Sequence, residues 1–288
     1  GRKGEGRFER ITWDEALDAV ASGLQSVIDT CGPEAVLPYS YAGTMGMVNM
    51  AAVEGRLWNR MGASRLDRTI CSSAGGEGLV QTLGGKVGMK MGMYAQSKLI
   101  LIWGSNSITS NIHFWRIAQE AKRQGAKLVC IDPRRSETAD KCDWHLAIKP
   151  GTDAALALAM MHELITHDWL DHDYIAQHTL GYDALRERAL QWPPERAAAI
   201  CGLPVDVIRQ LAHDYAHLKP AAIRLNYGVQ RSRGGGNAVR AIASLPALIG
   251  AWRHPGGGVL MSATQHARAN NVGLQRPDLH THAKAPLI

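Results

Sequence analysis

Residues 98–103, KLILIW, are a continuous apolar run of strand length, and residues 126–131, AKLVCI, are a second. Between them, residues 104–111 form a polar turn and residues 112–124 read as a helix closed by Gly125. A strand, helix and strand of this length require parallel strands joined by a right-handed crossover. The spacing predicts that the two runs are neighbours in a parallel sheet. It also predicts that Gly104 and Asp132 sit at the same sheet edge.

Working outward, residues 143–148 offer a third strand, and Pro150-Gly151-Thr152-Asp153 leads into a helix over 154–166. Several helical segments fill 171–217. Residues 221–225 are another apolar strand, followed by a polar loop over 226–237, a helix over 238–250 and Gly256-Gly257-Gly258. Toward the N-terminus, Thr12-Trp13-Asp14-Glu15 is a capping box. Leu17, Val20, Leu24, Val27 and Ile28 follow it at helical spacing. Gly32-Pro33 stops that helix. A buried strand is expected over 35–40, a Gly- and Met-bearing loop over 41–48, and a helix over 49–61 with Gly62 beyond it. No internal repeat or low-complexity tract interrupts the pattern.

Composition narrows the function. The chain has 288 residues, 45% of them hydrophobic and 20% charged, enough for two modest cores. No apolar run reaches the roughly 18 residues of a membrane span. The net charge of +6 suits a polyanionic ligand and is weak evidence for a nucleic-acid partner. Five cysteines are scattered without a Cys-x-x-Cys or a Cys/His pair at zinc spacing, which argues against an iron–sulfur cluster or structural zinc here. The odd count argues against a disulfide framework. Twelve histidines add little: His162, His167 and His172 are core or solvent-facing by default, and His280-Thr281-His282 lies near a loose end. The chain starts at Gly1 and ends in a loop-like stretch over 279–288, so it is expected to be a fragment. Its compartment is left open between cytoplasm and periplasm.

Five places carry candidate chemistry, each with a plainer alternative. Trp103-Gly104-Ser105-Asn106 follows a strand, where open parallel sheets bind ligands, and a glycine there lets backbone approach a phosphate. The sequence is no G-x-G-x-x-G, and an ordinary turn satisfies it too. Asp132-Pro133-Arg134-Arg135 can offer a carboxylate to ribose hydroxyls and cations to phosphates, or be a charged surface turn. In Gly151-Thr152-Asp153, Thr or Asp at a helix start is ordinarily a cap, while a carboxylate also matches the paired N–H donors of guanine. The basic, Gly-rich loop 228–237, with Gly228, Gln230 and Ser232, can wrap phosphate or pterin with backbone N–H groups. RNA-binding Arg-Gly segments are long and repeated, unlike this single copy. Cys71, in Thr69-Ile70-Cys71-Ser72-Ser73-Ala74-Gly75, precedes a Gly-rich helix start that can favour a thiolate. A lone cysteine is more often a small buried hydrophobe.

The order of these stretches resembles the dimethyl sulfoxide reductase family of molybdenum enzymes. Residues 3–16 (KGEGRFERITWDEA) resemble the stretch that follows the family's N-terminal iron–sulfur segment. Trp103-Gly104-Ser105-Asn106 through Asn111 and His113 resembles its first nucleotide loop, and residues 131–139 (IDPRRSETA) its second. Residues 150–156 (PGTDAAL) are similar to a characteristic element. Tyr227 through Gly236, then Arg240-Ala241-Ile242 and Gly256-Gly257-Gly258, resemble a later cofactor loop. The likeness runs over nearly the whole chain. Ser107 and Ile112 stand where the family often has proline.

That resemblance implies molybdenum held by two molybdopterin guanine dinucleotides. Gly104, Ser105, Asn106 and His113 would line one dinucleotide's phosphates. Asp132, Pro133, Arg135, Gly151, Thr152 and Asp153 would lie toward its ribose and guanine, and Gly228, Gln230 and Ser232 toward a pterin. Cys71 falls where the family places its protein ligand to the metal. The implied architecture is α/β: a doubly wound, Rossmann-like parallel-sheet domain over 74–219, inserted into a second α/β domain made of 1–73 and 220–288. A [4Fe-4S] cluster would belong to a segment before Gly1, and much of the second dinucleotide's site to a domain after Ile288. A small-molecule substrate and an electron-transfer partner are implied as well. The rivals are a non-catalytic relative without molybdenum, which predicts degenerate nucleotide loops, a dehydrogenase using Gly104 and Asp132, and, more remotely, a nucleic-acid-binding module.

Overall fold

A computed structural model describes residues 2–39, 53–262, 270–280 and 287. It divides the chain into two units: residues Ser72–Ala267, and a unit made of Gly1–Cys71 with Arg268–Ile288. The larger unit is thus inserted, in sequence, between the two parts of the smaller one.

The larger unit is built on a sheet of five parallel strands: β1 (Leu99–Trp103), β2 (Lys127–Ile131), β3 (Trp144–Leu146), β4 (Ala221–Leu225) and β5 (Gly258–Leu260), in the order β3-β2-β1-β4-β5. β1 pairs with β2 from Leu99↔Lys127 to Trp103↔Ile131, as its apolar run requires. It pairs on its other side with β4, from Leu99↔Ala221 to Trp103↔Leu225. Strands covered on both faces read as continuous apolar runs, and all five residues of β1 are buried.

Side chains alternate across the sheet between two apolar layers. Leu99, Leu101, Trp103, Val129, Ile131, Ile223 and Leu225 join one. Ile100, Ile102, Leu128, Ala222 and Leu260 join the other. Burying each Leu or Ile contributes about 1.5–3 kcal/mol, so the central strands anchor the unit. The helix Ile112–Arg123 covers the second layer through Phe114, Ala118 and Ala121. The helices Asp153–Thr166 and Gly235–Leu248 cover the first. Four further helices, His172–His178, Tyr182–Leu190, Pro194–Cys201 and Val205–His217, fill the crossover from β3 to β4.

The helix Ser73–Leu83 explains the glycines of its sequence, SAGGEGLVQTL. A Cβ on Gly78 would stand 2.6 Å from the Gly236 carbonyl oxygen, and one on Gly236 would stand 2.9 Å from that of Ala74. The glycines let this helix lie backbone against backbone on the helix Gly235–Leu248.

Several expectations are corrected. The domain boundary expected at 219/220 falls beside β4, which is hydrogen-bonded to β1 in the same sheet. Residues 220–262 therefore pack with the larger unit, because a strand pairs with its sheet wherever it lies in sequence. β5, at Gly258–Leu260, was not anticipated: three residues carry too little pattern. The helix expected over 238–250 begins at Gly235. The turn after β1 contains one helical turn, Ser107–Ser110.

In the smaller unit the capping box forms. Thr12 Oγ1 accepts from the Glu15 amide at 3.2 Å, and Glu15 Oε2 accepts from the Thr12 amide at 2.7 Å. The helix runs Trp13–Cys31 and ends at Gly32, with φ of 86°. Instead of a strand from residue 35, Pro33–Ala35 form a 3-10 turn, closed by the Val36 amide on the Pro33 carbonyl at 3.1 Å. Residues 36–39 are irregular, and residue 40 lies outside the described residues, as do the loop expected over 41–48 and the first part of the helix expected from 49. That helix is described as Glu54–Met61, ending at a left-handed Gly62. His282 and most of the C-terminal loop also lie outside the described residues.

Candidate functional site

β1 is the point at which the sheet's winding reverses: β2 and β3 extend to one side, β4 and β5 to the other. The helices that follow β1 and β4 lie on opposite faces. Their loops separate at the carboxyl edge and open a crevice between them, the place where such sheets bind ligands. A cavity of about 700 Å³ occupies it. Gly104, Ser105, Asn106, Ser110 and Asn111 line it from the β1 side, and Asn226, Tyr227, Gly228 and Arg231 from the β4 side, with Arg224, Met91, Met261 and Ser262.

The floor is two backbones in contact. Gly104 has φ of 62°, and a Cβ there would stand 2.7 Å from Val229 Cγ2. A Cβ on Gly228 would stand 2.5 Å from the Gly104 carbonyl oxygen. Side-chain hydrogen bonds then lock the loops. Asn226 Nδ2 donates to Ser105 Oγ at 3.2 Å, and Ser105 and Ser107 share a bond at 2.9 Å. Thr138 Oγ1 donates to Asn106 Oδ1 at 2.8 Å and accepts from the Ile108 amide at 3.1 Å, tying the short helix Glu137–Lys141 after β2 to the turn after β1. A cavity floored by glycine and walled by amides and hydroxyls, with no Asp or Glu among the described residues of its lining, is suited to a large ligand carrying negative charge.

The family profile named Molybdopterin oxidoreductase matches residues 1–286. The chain belongs to the molybdopterin oxidoreductase family. It is 42% identical, over 97% of its length, to the probable oxidoreductase YoaE of Bacillus subtilis (strain 168). It is 31% identical, over 87%, to the dimethyl sulfoxide reductase DmsA of Escherichia coli (strain K12). Among solved structures it is similar to acetylene hydratase from Pelobacter acetylenicus, with a TM-score of 0.67 and 28% identity over 86% of the chain. The chain spans 41%, 35% and 34% of the lengths of these three proteins. The mixed α/β fold with its parallel sheet is thus the family's own.

Membership in the molybdopterin oxidoreductases implies a molybdenum–pterin cofactor, and the crevice fits one. It has the volume, a floor where Gly104 and Gly228 let the two loops meet with no room for a Cβ between them, and a buried Arg224 whose Nε has no hydrogen-bond partner among the described residues. Among the described residues, no three His, Cys, Asp or Glu side chains converge as a metal site.

Of the residues singled out in the sequence, Gly104, Ser105, Asn106 and Gly228 line the cavity. Gly104 and Asp132 share an edge as expected, since the Gly104 amide bonds to the Ile131 carbonyl at 2.9 Å. Asp132 Oδ1 accepts from the Arg134 amide at 2.9 Å. Pro133 is exposed, and so is Arg135, which pairs with Asp140 at 2.6 Å. His113 is exposed in the first turn of its helix. Gly151, with φ of 78°, would carry a Cβ 3.1 Å from the Ser232 side chain, so the two loops adjoin. Thr152 turns back to the Lys149 carbonyl at 2.7 Å instead of capping its helix. Gln230 is buried, its Oε1 accepting from the Gly75 amide at 2.6 Å. Cys71 is half-buried at the end of the smaller unit's first segment.

Asp153 is not a simple cap either. It is 6% exposed, and its Oδ1 accepts from Trp103 Nε1 at 2.8 Å. Burial raises its pKa above the usual carboxylate value; the indole bond opposes that shift and the neighbouring Asp132 adds to it.

Sequence reasoning passed over Arg224, Asn226 and Tyr227 as individual site residues. Arg224 had a visible signal: one cation near the carboxyl end of an otherwise apolar strand, AAIRL.

Proposed function

We propose that this chain is the central cofactor-binding part of a molybdenum oxidoreductase that uses the guanine dinucleotide form of molybdopterin. Residues 72–267 would seat one dinucleotide across the crevice between β1 and β4. The observation that carries this reading is the glycine-floored cavity at the winding reversal, in a chain of this family.

In this reading the loop with Gly104, Ser105 and Asn106 cradles phosphate, with His113 beyond it. Asp132, Pro133 and Arg135 lie toward the ribose. Gly151 and Thr152 bring Asp153 toward the guanine edge, and Gly228, Gln230 and Ser232 shape the pterin side. Cys71 is the protein ligand to the metal. When bound, the molybdenum and its dithiolenes supply two-electron redox or oxygen-atom transfer, while the protein binds, orients and tunes. The buried Trp103–Asp153 pair keeps a carboxylate beside the nucleotide loops, with water largely excluded. A small-molecule substrate and an electron-transfer partner would engage the full-length protein.

The test is metal, pterin and nucleotide analysis of the purified full-length protein. Molybdenum with two guanine nucleotides per metal is expected. Cytosine nucleotide, or no nucleotide tail, would overturn the reading.

A further inference from the structure

Arg224 is a cation inside a sheet. It lies on β4, only 4% exposed, on the face where Ile100, Ile102, Phe114 and Ala222 form an apolar layer. Its guanidinium sits 5.4 Å from the centroid of the Phe114 ring. Nη1 donates to three carbonyls: that of Leu225, that of Leu260 at 3.1 Å and that of Met261 at 2.7 Å. Nε is buried without a hydrogen-bond partner among the described residues. No carboxylate pairs with it among the described residues; the ionisable groups that act on it are the phenols of Tyr94 and Tyr227. Tyr94 donates its hydroxyl hydrogen to the Ile223 carbonyl at 2.8 Å and burial keeps it a neutral phenol, so it brings no opposite charge to Arg224.

A guanidinium buried without an anion is disfavoured unless something supplies the opposite charge. The carbonyl bonds answer one nitrogen of three, and neither they nor the Phe114 ring brings a formal negative charge. A neutral side chain with one N–H donor would tie the ends of β4 and β5 together as well. Arg224 does one thing that such a side chain would not: it borders the cavity at the winding reversal, whose lining holds a second arginine, Arg231, and, among the described residues, no Asp or Glu.

We propose that Arg224 is the built-in counter-charge for a phosphate-type anion, the diphosphate of a nucleotide-tailed ligand, held at the carboxyl ends of β1 and β4. The inference rests on the cofactor reading above and adds the residue that neutralises the ligand's charge. A planar, permanently charged guanidinium is suited to phosphoryl oxygens. Its position on a strand, not on a loop, means the anion site is preformed.

The experiment uses the full-length protein purified without cofactor from a host that cannot make the pterin. Inorganic pyrophosphate, guanosine diphosphate and cytidine diphosphate are titrated against wild type, Arg224→Met and Arg224→Lys by calorimetry. Arg224→Met is expected to bind pyrophosphate at least about tenfold more weakly than wild type, and Arg224→Lys, which keeps the charge, to recover part of that loss. Equal pyrophosphate affinity in wild type and Arg224→Met would make Arg224 a strut and overturn the proposal. Hydrogen–deuterium exchange on wild type decides the matter should the variants not fold: pyrophosphate should protect residues 104–111 and 226–231, and protection elsewhere, or none, refutes it. The nucleotides separate this proposal from the cofactor reading. If guanosine diphosphate binds no better than cytidine diphosphate while Arg224→Met still loses pyrophosphate, the anion site stands and the guanine reading falls. If guanosine is preferred and Arg224→Met binds pyrophosphate normally, the reverse holds.

Discussion

Trp103 Nε1 donates to Asp153 Oδ1 at 2.8 Å, joining residues fifty positions apart. The indole ends β1 and the carboxylate begins the helix Asp153–Thr166, so the bond fixes the Gly151–Asp153 loop against the sheet's carboxyl edge. Both side chains are buried, and each satisfies a polar atom of the other.

Asp153 can therefore be tested as both a structural and a recognition group. Asp153→Ala leaves the buried indole N–H unpaired and should cost about 1–3 kcal/mol. Asp153→Asn keeps an acceptor for the indole and should preserve the fold. In the full-length protein it should lower bound guanine nucleotide, because an amide offers only one acceptor oxygen to paired N–H donors. Urea unfolding and released-nucleotide analysis check the two outcomes.

The same carboxyl sets a pH dependence. Its folded pKa is raised, mainly by burial. As pH rises through the unfolded value, the unfolded chain loses its proton first, so stability falls until the folded pKa is passed and is then level. Its contribution is thus most favourable on the acid side, opposite to a salt-bridged aspartate. Unfolding curves from about pH 4 upward should show this decline in wild type and lack it in Asp153→Asn.

Gly104 and Gly228 separate backbone strain from close approach. Gly104→Ala places a Cβ at a left-handed φ and 2.9 Å from the Val229 amide nitrogen. It should cost about 1–2 kcal/mol for the conformation alone, with overlap adding to that. Gly228 has φ of −53°, so Gly228→Ala carries no such strain and tests only the contact with Gly104. Both should lower cofactor content. Shortening Val229 to Ala in the same chain should relieve part of the Gly104→Ala deficit and none of the Gly228→Ala deficit, because the Gly228 contact is with the Gly104 backbone.

Gln230 should matter without any cofactor. Its Oε1 accepts from the Gly75 amide in the first turn of the helix Ser73–Leu83. Gln230→Leu leaves that buried N–H unsatisfied and should cost about 1–3 kcal/mol in cofactor-free protein. A denaturation midpoint equal to wild type would show that the helix start finds another acceptor.

Cys71 is tested at the metal. X-ray absorption on the full-length protein should count one sulfur beyond the four dithiolene sulfurs of two pterins, and Cys71→Ala should remove it together with activity. An unchanged sulfur count in Cys71→Ala would make Cys71 structural, the plainer fate of a lone cysteine.

Much of the sheet could be read directly from the residues. KLILIW and AKLVCI became β1 and β2, adjacent and parallel as expected, because continuous apolar runs and their breakers are local signals. The loops at Gly104 and Gly228 were legible for the same reason: glycine between a strand and a helix marks a place where backbone must come close. The capping box of Thr12 and Glu15 formed as spelled, since all its partners lie within four residues.

What only the tertiary structure decided depends on partners distant in sequence. That residues 221–225 lie beside β1, in one sheet and not in a second domain, is a pairing that no local pattern encodes. That pairing places the winding reversal between β1 and β4, and with it the cavity. It also turns Arg224, by the period-two alternation of its strand, into the apolar layer under Phe114 and against the crevice. A lone arginine in AAIRL is a charge in any reading of the sequence. It becomes a buried cation without an anion only when the neighbours that exclude water are brought to it from elsewhere in the chain.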